Sequence, residues 1–233
     1  MKNNRVYSNA YKGHNGLYTG TSGGGGGAPP PPPPGCVAEQ GLKLTATNGT
    51  SGTYQFPTYG LYDYGANLSL YLQSEIGSGE KRITQLGFNV RYDYDPGYVY
   101  NNQTIVMAHI PSTTVIIPDN TWRKDLSNIP GLTDQTTVKA SFSWTGPTTT
   151  GWTYISLDDY FCYNGTDNLL IAWYNEDGSY EFGYGGLYAL DVGSTPNTRS
   201  GIIQQDNTPI PDTALFRNNT SGDDKIPNLR LAY

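Results

Sequence analysis

The sequence predicts an all-β fold, a jelly-roll-like β-sandwich preceded by an extended N-terminal arm, and three observations predict it. Apolar residues recur at every second position in many short runs, the pattern of half-buried strands. Gly-, Pro- or Asn-rich turns separate most of these runs, and the 20 tyrosines and frequent threonines suit pleated surfaces. Aromatic residues reach 13% and charged residues only 15%, so the chain of 233 residues holds enough apolar surface for one large domain.

Residues 1–22 come first, with Lys2, Arg5, Tyr7, Tyr11, Lys12, Leu17 and Tyr18 scattered among Asn, Gly and Ser. Such a segment cannot bury enough apolar surface to offset its ordering entropy. It is either a disordered leader or an anchoring peptide that docks its tyrosines and cations on a partner. Residues 23–35 form a linker of two opposite kinds, the run Gly23–Gly27 and the run Pro29–Pro34. Glycine runs behave as flexible coil, whereas six prolines make a stiff polyproline II rod roughly 19 Å long at about 3.1 Å per residue. A basic arm, a spacer and a body over residues 36–233 is the layout of a protein held at one end.

In the body, Leu42–Ala46 and Leu68–Leu72 alternate cleanly. The runs 83–91, 103–110, 137–144, 152–157, 169–173, 201–203 and 229–231 bring the candidate strands to about ten. The one helical patch is short, around Leu72–Ile76. Trp144, Trp152 and Trp173 lie in strands and are expected in the core, whereas Trp122 lies between Asn120-Thr121 and Arg123-Lys124-Asp125 and is expected at the surface.

Charge divides the chain. Residues 1–35 carry Lys2, Arg5 and Lys12 with no acid, while the body has 11 of the 14 basic residues and all 20 acidic ones, a net of −9. An acidic body disfavours nucleic acid, whose phosphates need clustered Lys and Arg. The opening Met1-Lys2-Asn3-Asn4-Arg5 leads into a polar stretch rather than the apolar run of a secretory signal. No segment approaches the roughly 18 apolar residues of a membrane helix. The expectation is a protein made in a cytoplasm with no membrane partner. Cys36 and Cys162 are far apart in sequence, and two free thiols are the expected state, since sequence alone cannot bring their Cα atoms within reach.

Chemistry is sparse. Of the two histidines, His14 lies in the arm, so a nucleophilic site would need His109, which sits mid-strand, with Cys162 as one conceivable nucleophile. Zinc has no recognised ligand spacing here. Asn175-Glu176-Asp177-Gly178 and Ser221-Gly222-Asp223-Asp224 offer oxygen ligands in turns, yet read equally as ordinary hairpin turns. Acidic residues are available for glycoside hydrolysis, but nothing pairs them, and no phosphate-binding or dinucleotide fingerprint occurs. A non-enzymatic protein without cofactor or metal is expected. The recognition candidates are tyrosines around turns: Tyr92, Tyr94, Tyr98 and Tyr100 about Asp95-Pro96-Gly97, and Tyr174, Tyr180, Phe182 and Tyr184 about a second turn. Tyrosine offers a rigid apolar face and a hydroxyl at small entropic cost, which suits glycan or protein contact. Trp122 joins Tyr92, Tyr94, Tyr98 and Tyr100 as a glycan-binding candidate; packing on neighbouring strands or an oligomer interface is the alternative for the tyrosines.

Several stretches also follow one another in a familiar order: Phe56-Pro57-Thr58-Tyr59-Gly60-Leu61-Tyr62-Asp63-Tyr64, Leu70-Tyr71-Leu72-Gln73-Ser74-Glu75-Ile76-Gly77 and Ile83-Thr84-Gln85-Leu86-Gly87-Phe88. Asn101–Ile105, Tyr163–Trp173 and Pro227–Leu231 continue the series. This succession resembles β-sandwich modules of Bacteroidetes secreted and cell-surface proteins, including adhesin-like regions. The Gly/polyproline arm is similar to those of virion proteins of tailed phages. The combination resembles a crAss-like phage head fibre or capsid decoration protein. The resemblance implies a structural protein on the virion surface. Lys2, Arg5, Tyr7, Tyr11, Lys12 and Tyr18 would face a capsid or other virion protein, and the sandwich, as a homo-oligomer such as a trimer, would meet host-surface glycans. The alternatives are a bacterial cell-surface carbohydrate-binding or adhesin module and, more remotely, a hydrolase.

Overall fold

The period-two runs of the body fold as strands, and nearly all their partners lie far away in sequence. The computed structural model describes residue 36 and residues 41–53, 60–92, 98–180, 186–191, 198–218 and 225–233, with backbone alone at 92 and 186–191. The anchor candidates Lys2, Arg5, Tyr7, Tyr11, Lys12 and Tyr18, and the linker 23–35, lie outside the described residues.

Two antiparallel sheets result. The seven-stranded sheet runs β1 (Lys43–Thr45), β12 (Leu229–Ala232), β4 (Lys81–Tyr92), β9 (Gly186–Asp191), β11 (Lys225–Pro227), with β2 (Ser51–Thr53) on β9 and β7 (Gly151–Tyr163) on β4. The five-stranded sheet runs β10 (Ser200–Gln205), β3 (Tyr64–Tyr71), β8 (Asn168–Asn175), β5 (Val99–Ile110), β6 (Thr133–Thr145). The predicted helical patch is a single turn, α1 (Gln73–Ile76).

The sheets pack face to face as a β-sandwich. Leu86, Phe88 and Val90 of β4, Ile155 of β7 and Leu231 of β12 meet Ile105 and Met107 of β5 and Leu169, Ile171 and Trp173 of β8. Trp173 stands at the centre, edge-on to Trp144 at 5.4 Å and to Phe88 at 6.0 Å between ring centroids. Its Nε1 donates to Gln103 Oε1 at 2.7 Å, and Gln103 Nε2 donates to Asn175 Oδ1 and to the Asn101 carbonyl. An indole N–H in a core needs an acceptor, and this short polar chain supplies it. Tyr71 is fully buried, and its hydroxyl donates to the Pro227 carbonyl at 3.0 Å.

The five-stranded sheet is buried on its outer face too. Leu68 and Leu70 of β3, Val106 of β5, and Leu170 and Ala172 of β8 point away from the sandwich interior into a second core. The segments between β5 and β6 and after β10 cover them with Ile117, Trp122, Leu126, Ile129, Ile210 and Phe216. The expectation of an exposed Trp122 is therefore corrected, because it is 4% exposed. Its neighbours Arg123 and Asp125 are exposed, while the indole caps an apolar sheet face that would otherwise meet water. Trp152 is the opposite correction. It lies half-buried on the outer face of the seven-stranded sheet, with the Arg230 guanidinium 4.1 Å above its ring. Tyr154, two residues on, carries Lys43 Nζ over its ring at 4.3 Å, so cations shield both aromatics from water.

The expectation of two free thiols is also overturned. Cys36 and Cys162 form a disulfide with Cα atoms 5.5 Å apart and a sequence separation of 126. The fold makes this possible because Cys162 of β7 is held opposite Arg82 of β4.

β6 and β7 are each 13 residues long and lie at the ends of their sheets. Neither presents a flat edge. Asp134 and Ser141 of β6 adopt positive φ values of 52° and 46°, and its pairing with β5 shifts register repeatedly. Lys139 of β6 reaches Asp158 of β7 at 2.5 Å, and Asp158 also accepts from the Ala140 backbone N–H at 3.3 Å. The Lys139 bond, aided by the Ala140 N–H, holds the Asp158 carboxyl below its usual range.

Candidate functional site

Where the sequence places turns, the topology gathers them at one end of the sandwich. The end of β8 and the starts of β3 and β5 meet there with the end of β10. Tyr98, from the first group of tyrosines, reaches the turn that follows β8. Tyr98 donates its hydroxyl to Asp177 Oδ2 at 2.9 Å and lies 3.0 Å from Ser179 Oγ. The turn itself is tied to the start of β3, because Gly178 N–H donates to the Asp63 carbonyl at 3.0 Å. Asp63 then reaches the third loop, accepting the Asn207 N–H on Oδ2 at 2.8 Å. Asn207 holds φ at 66°, a left-handed conformation that asparagine tolerates.

These loops enclose a cleft of about 390 Å³ lined by Leu61, Tyr62, Asp63, Tyr180, Asp206 and Asn207. Its size falls within the range of about 300–1,000 Å³ usual for ligand clefts. Tyr180 stands at the rim, 58% exposed. Neither Asp63 Oδ1 nor the Asp206 carboxylate accepts a hydrogen bond from a described residue, and no Lys or Arg is among the described residues that line the cleft. The arrangement offers flat aromatic surface beside acceptor oxygens open to water, a combination suited to a ligand rich in hydroxyl donors.

A second cleft of about 260 Å³ lies between Thr104, Lys124, Asp125, Gln135, Tyr174, Glu176 and Asp212. Its lysine and its tyrosine are already engaged. Lys124 Nζ donates to Glu176 at 2.9 Å and to the Ile210 carbonyl at 3.0 Å, and Tyr174 donates to the Lys124 carbonyl. Burial pushes the Tyr174 hydroxyl well above its usual range. The tyrosine cleft is the better candidate.

The predicted recognition residues separate accordingly. Tyr98 is half-buried and braces the cleft-bearing turn. Tyr100 is corrected, because it is 1% exposed and stacked 5.5 Å from Trp144 inside the core, where no glycan reaches it. Trp122 is buried in the second core, as above. Tyr94, Phe182 and Tyr184 lie outside the described residues, as does the Tyr92 side chain. Sequence reasoning passed over Tyr62, Asp63, Asp206 and Asn207. A signal was present, since Tyr62-Asp63-Tyr64 repeats the Tyr92-Asp93-Tyr94 pattern.

The residues weighed for catalysis have structural duties. Cys162 has no thiol, being bonded to Cys36. His109 is 1% exposed, with Nε2 accepting the Asn164 N–H at 3.0 Å and Nδ1 2.9 Å from Asp134 Oδ2. The first bond fixes the tautomer, so Nδ1 carries the proton and donates to Asp134. In the turn considered for calcium, Asn175 Oδ1 already accepts from Gln103 and from the Asp177 N–H. Residues 221–224 lie outside the described residues. Among the described residues, no group of three or more His, Cys, Asp or Glu side chains is placed to hold a metal ion. No helix among them is long and apolar enough to cross a membrane. No family model and no curated protein matches the chain.

Proposed function

We propose that this chain is a non-enzymatic surface protein of a tailed-phage virion, a head fibre or capsid decoration protein. Residues 1–22 bind a capsid or other virion protein, residues 23–35 act as hinge and spacer, and the jelly-roll-like sandwich over residues 36–233 is displayed for attachment to host-surface glycans. The observation that carries the reading is the cleft at the loop end, where Tyr62 and Tyr180 stand beside Asp63, Asp206 and Asn207. The division between a basic arm and an acidic body supports the anchoring half. Each sugar contact is weak, and several copies on a particle, as trimers or separate fibres, turn weak sites into avidity. Deleting residues 1–22 tests the division of labour: the truncated chain folds and stays soluble but no longer joins particles. Normal incorporation of that chain places the anchor on the sandwich and refutes the reading.

One observation favours a second reading, a bacterial cell-surface carbohydrate-binding module. The Cys36–Cys162 bond belongs to proteins that work outside a reducing cytoplasm. A virion surface after lysis and a bacterial exterior both satisfy that condition. Antibody labelling of intact uninfected cells against purified particles separates the two.

A further inference from the structure

We infer that the tyrosine cleft selects uncharged sugars and rejects acidic ones; this rests on the glycan-attachment reading and names its ligand class. The selection follows from the lining. Tyr180, 58% exposed, offers a ring face to the C–H surface of a pyranose. Asp63 Oδ1, both Asp206 oxygens and the Asn207 side-chain oxygen give a cluster of acceptors for the vicinal hydroxyls of a sugar. Asp63 is held in place by its bond from the Asn207 N–H, so this acceptor is positioned before any ligand arrives.

The same residues repel anions. Two carboxylates line the cleft, and no Lys or Arg is among the described residues that line it. A sugar carboxylate about 6 Å from two such charges in water meets repulsion worth roughly tenfold in affinity. The field of an acidic body adds to it at long range.

The test uses the full-length chain and four probes: lactose and chitotriose as uncharged sugars, sialyllactose and trigalacturonate as acidic ones. Titration calorimetry or ligand-observed NMR at low salt should show the uncharged sugars binding about tenfold more tightly than the acidic ones. Raising salt to about 1 M shrinks the Debye length to about 3 Å and should narrow that ratio on the unaltered protein. Asp206→Asn should narrow it as well, by strengthening the acidic probes and weakening the neutral ones. Tyr180→Ala should lose the uncharged sugars, and Tyr180→Phe, which keeps the ring that lines the cleft, should retain them. Acidic probes that bind as well as neutral ones overturn the inference, as does a ratio indifferent to both salt and Asp206→Asn. Failure of every sugar to bind, or displacement of sugar by choline at equal concentration, also overturns it. Particle adsorption to host cells, blocked or not by added sandwich, judges the attachment reading separately.

Discussion

Breaking the Cys36–Cys162 bond should remove a large part of the stability of the sandwich, and the structure sets the size of the effect. The bond closes a loop with a sequence separation of 126 residues. The chain entropy withheld from the unfolded ensemble by a loop of that length is worth about 5 kcal/mol at 25 °C. A domain of this size has a total stability of roughly 5–15 kcal/mol, so the bond supplies a third or more of it. Little native packing should be lost in exchange, because β7 keeps its pairing with β4 and β1 keeps its pairing with β12. The assay is equilibrium urea unfolding of the oxidised chain, the reduced chain and the Cys36→Ser, Cys162→Ser double variant. With a slope of roughly 2–3 kcal/mol per molar urea, the midpoint should fall by about 2 M. The slope itself should rise, because an unfolded chain without the cross-link exposes more surface. Coincident midpoints and slopes for the oxidised and reduced chains would refute the reasoning, since neither the bond nor its loop would then matter to the unfolded state.

Further expectations concern the core and its turns. Gln103→Leu leaves the Trp173 indole N–H without its buried acceptor and removes one of the two bonds to Asn175 Oδ1, and should cost roughly 2–4 kcal/mol in urea unfolding. Gly165 has φ +76°, and a Cβ there would lie 2.5 Å from the Gly79 nitrogen, so Gly165→Ala should cost about 2–4 kcal/mol. Gly77→Ala is the control, with a similar φ of +84° and nothing within 4 Å, and should cost only the backbone strain of about 1–3 kcal/mol. Burial pushes the Tyr163 hydroxyl up to about 12 and drives those of Tyr71 and Tyr174 upward too. The folded state therefore favours the protonated phenol: its contribution is complete below pH about 10, the unfolded value, and is lost as pH rises through the folded values. Melting temperature should hold steady to about pH 9 and then fall, by up to about 4 kcal/mol of stability per pH unit for the three tyrosines together. Tyr174→Phe, measured across the same range, should flatten that fall.

The sandwich was largely legible because alternation is a local signal. The runs at 83–91, 103–110 and 169–173 lie within β4, β5 and β8, and the patch around Leu72–Ile76 contains α1. The strands missed were β2, β9 and β11, whose order comes from each other: Ser51–Thr53 and Lys225–Pro227 both pair with Gly186–Asp191. Three-residue strands containing Gly52 or Pro227 carry no periodicity to read. Period two also states that two faces differ without saying which is wet. The alternation at Leu68 and Leu70 thus leaves open that the sandwich interior takes Tyr71 while their own side is covered by Trp122 and Phe216. Ile117, Trp122, Leu126 and Ile129, apolar residues spaced irregularly through a segment without strands, were the available sign of such a cover. The cleft was half legible. Its Tyr174–Tyr184 turn stood out by composition, but Asp63 and Asp206 are 143 positions apart in number and join only through the pairing of β3 with β10. The disulfide was invisible for the same reason, as nothing in either local sequence records the other.

The treatment of β6 and β7 bears on what happens when many copies stand close together. A long sheet border with free amides invites the next molecule to add its own strand, and repetition of that step leads to fibrils. Here the Asp158 side chain occupies the Ala140 amide, and the kinks at Asp134 and Ser141 break the straight template. Neighbours crowded on one surface thus find little to zip onto, and the molecule can be displayed densely without clumping.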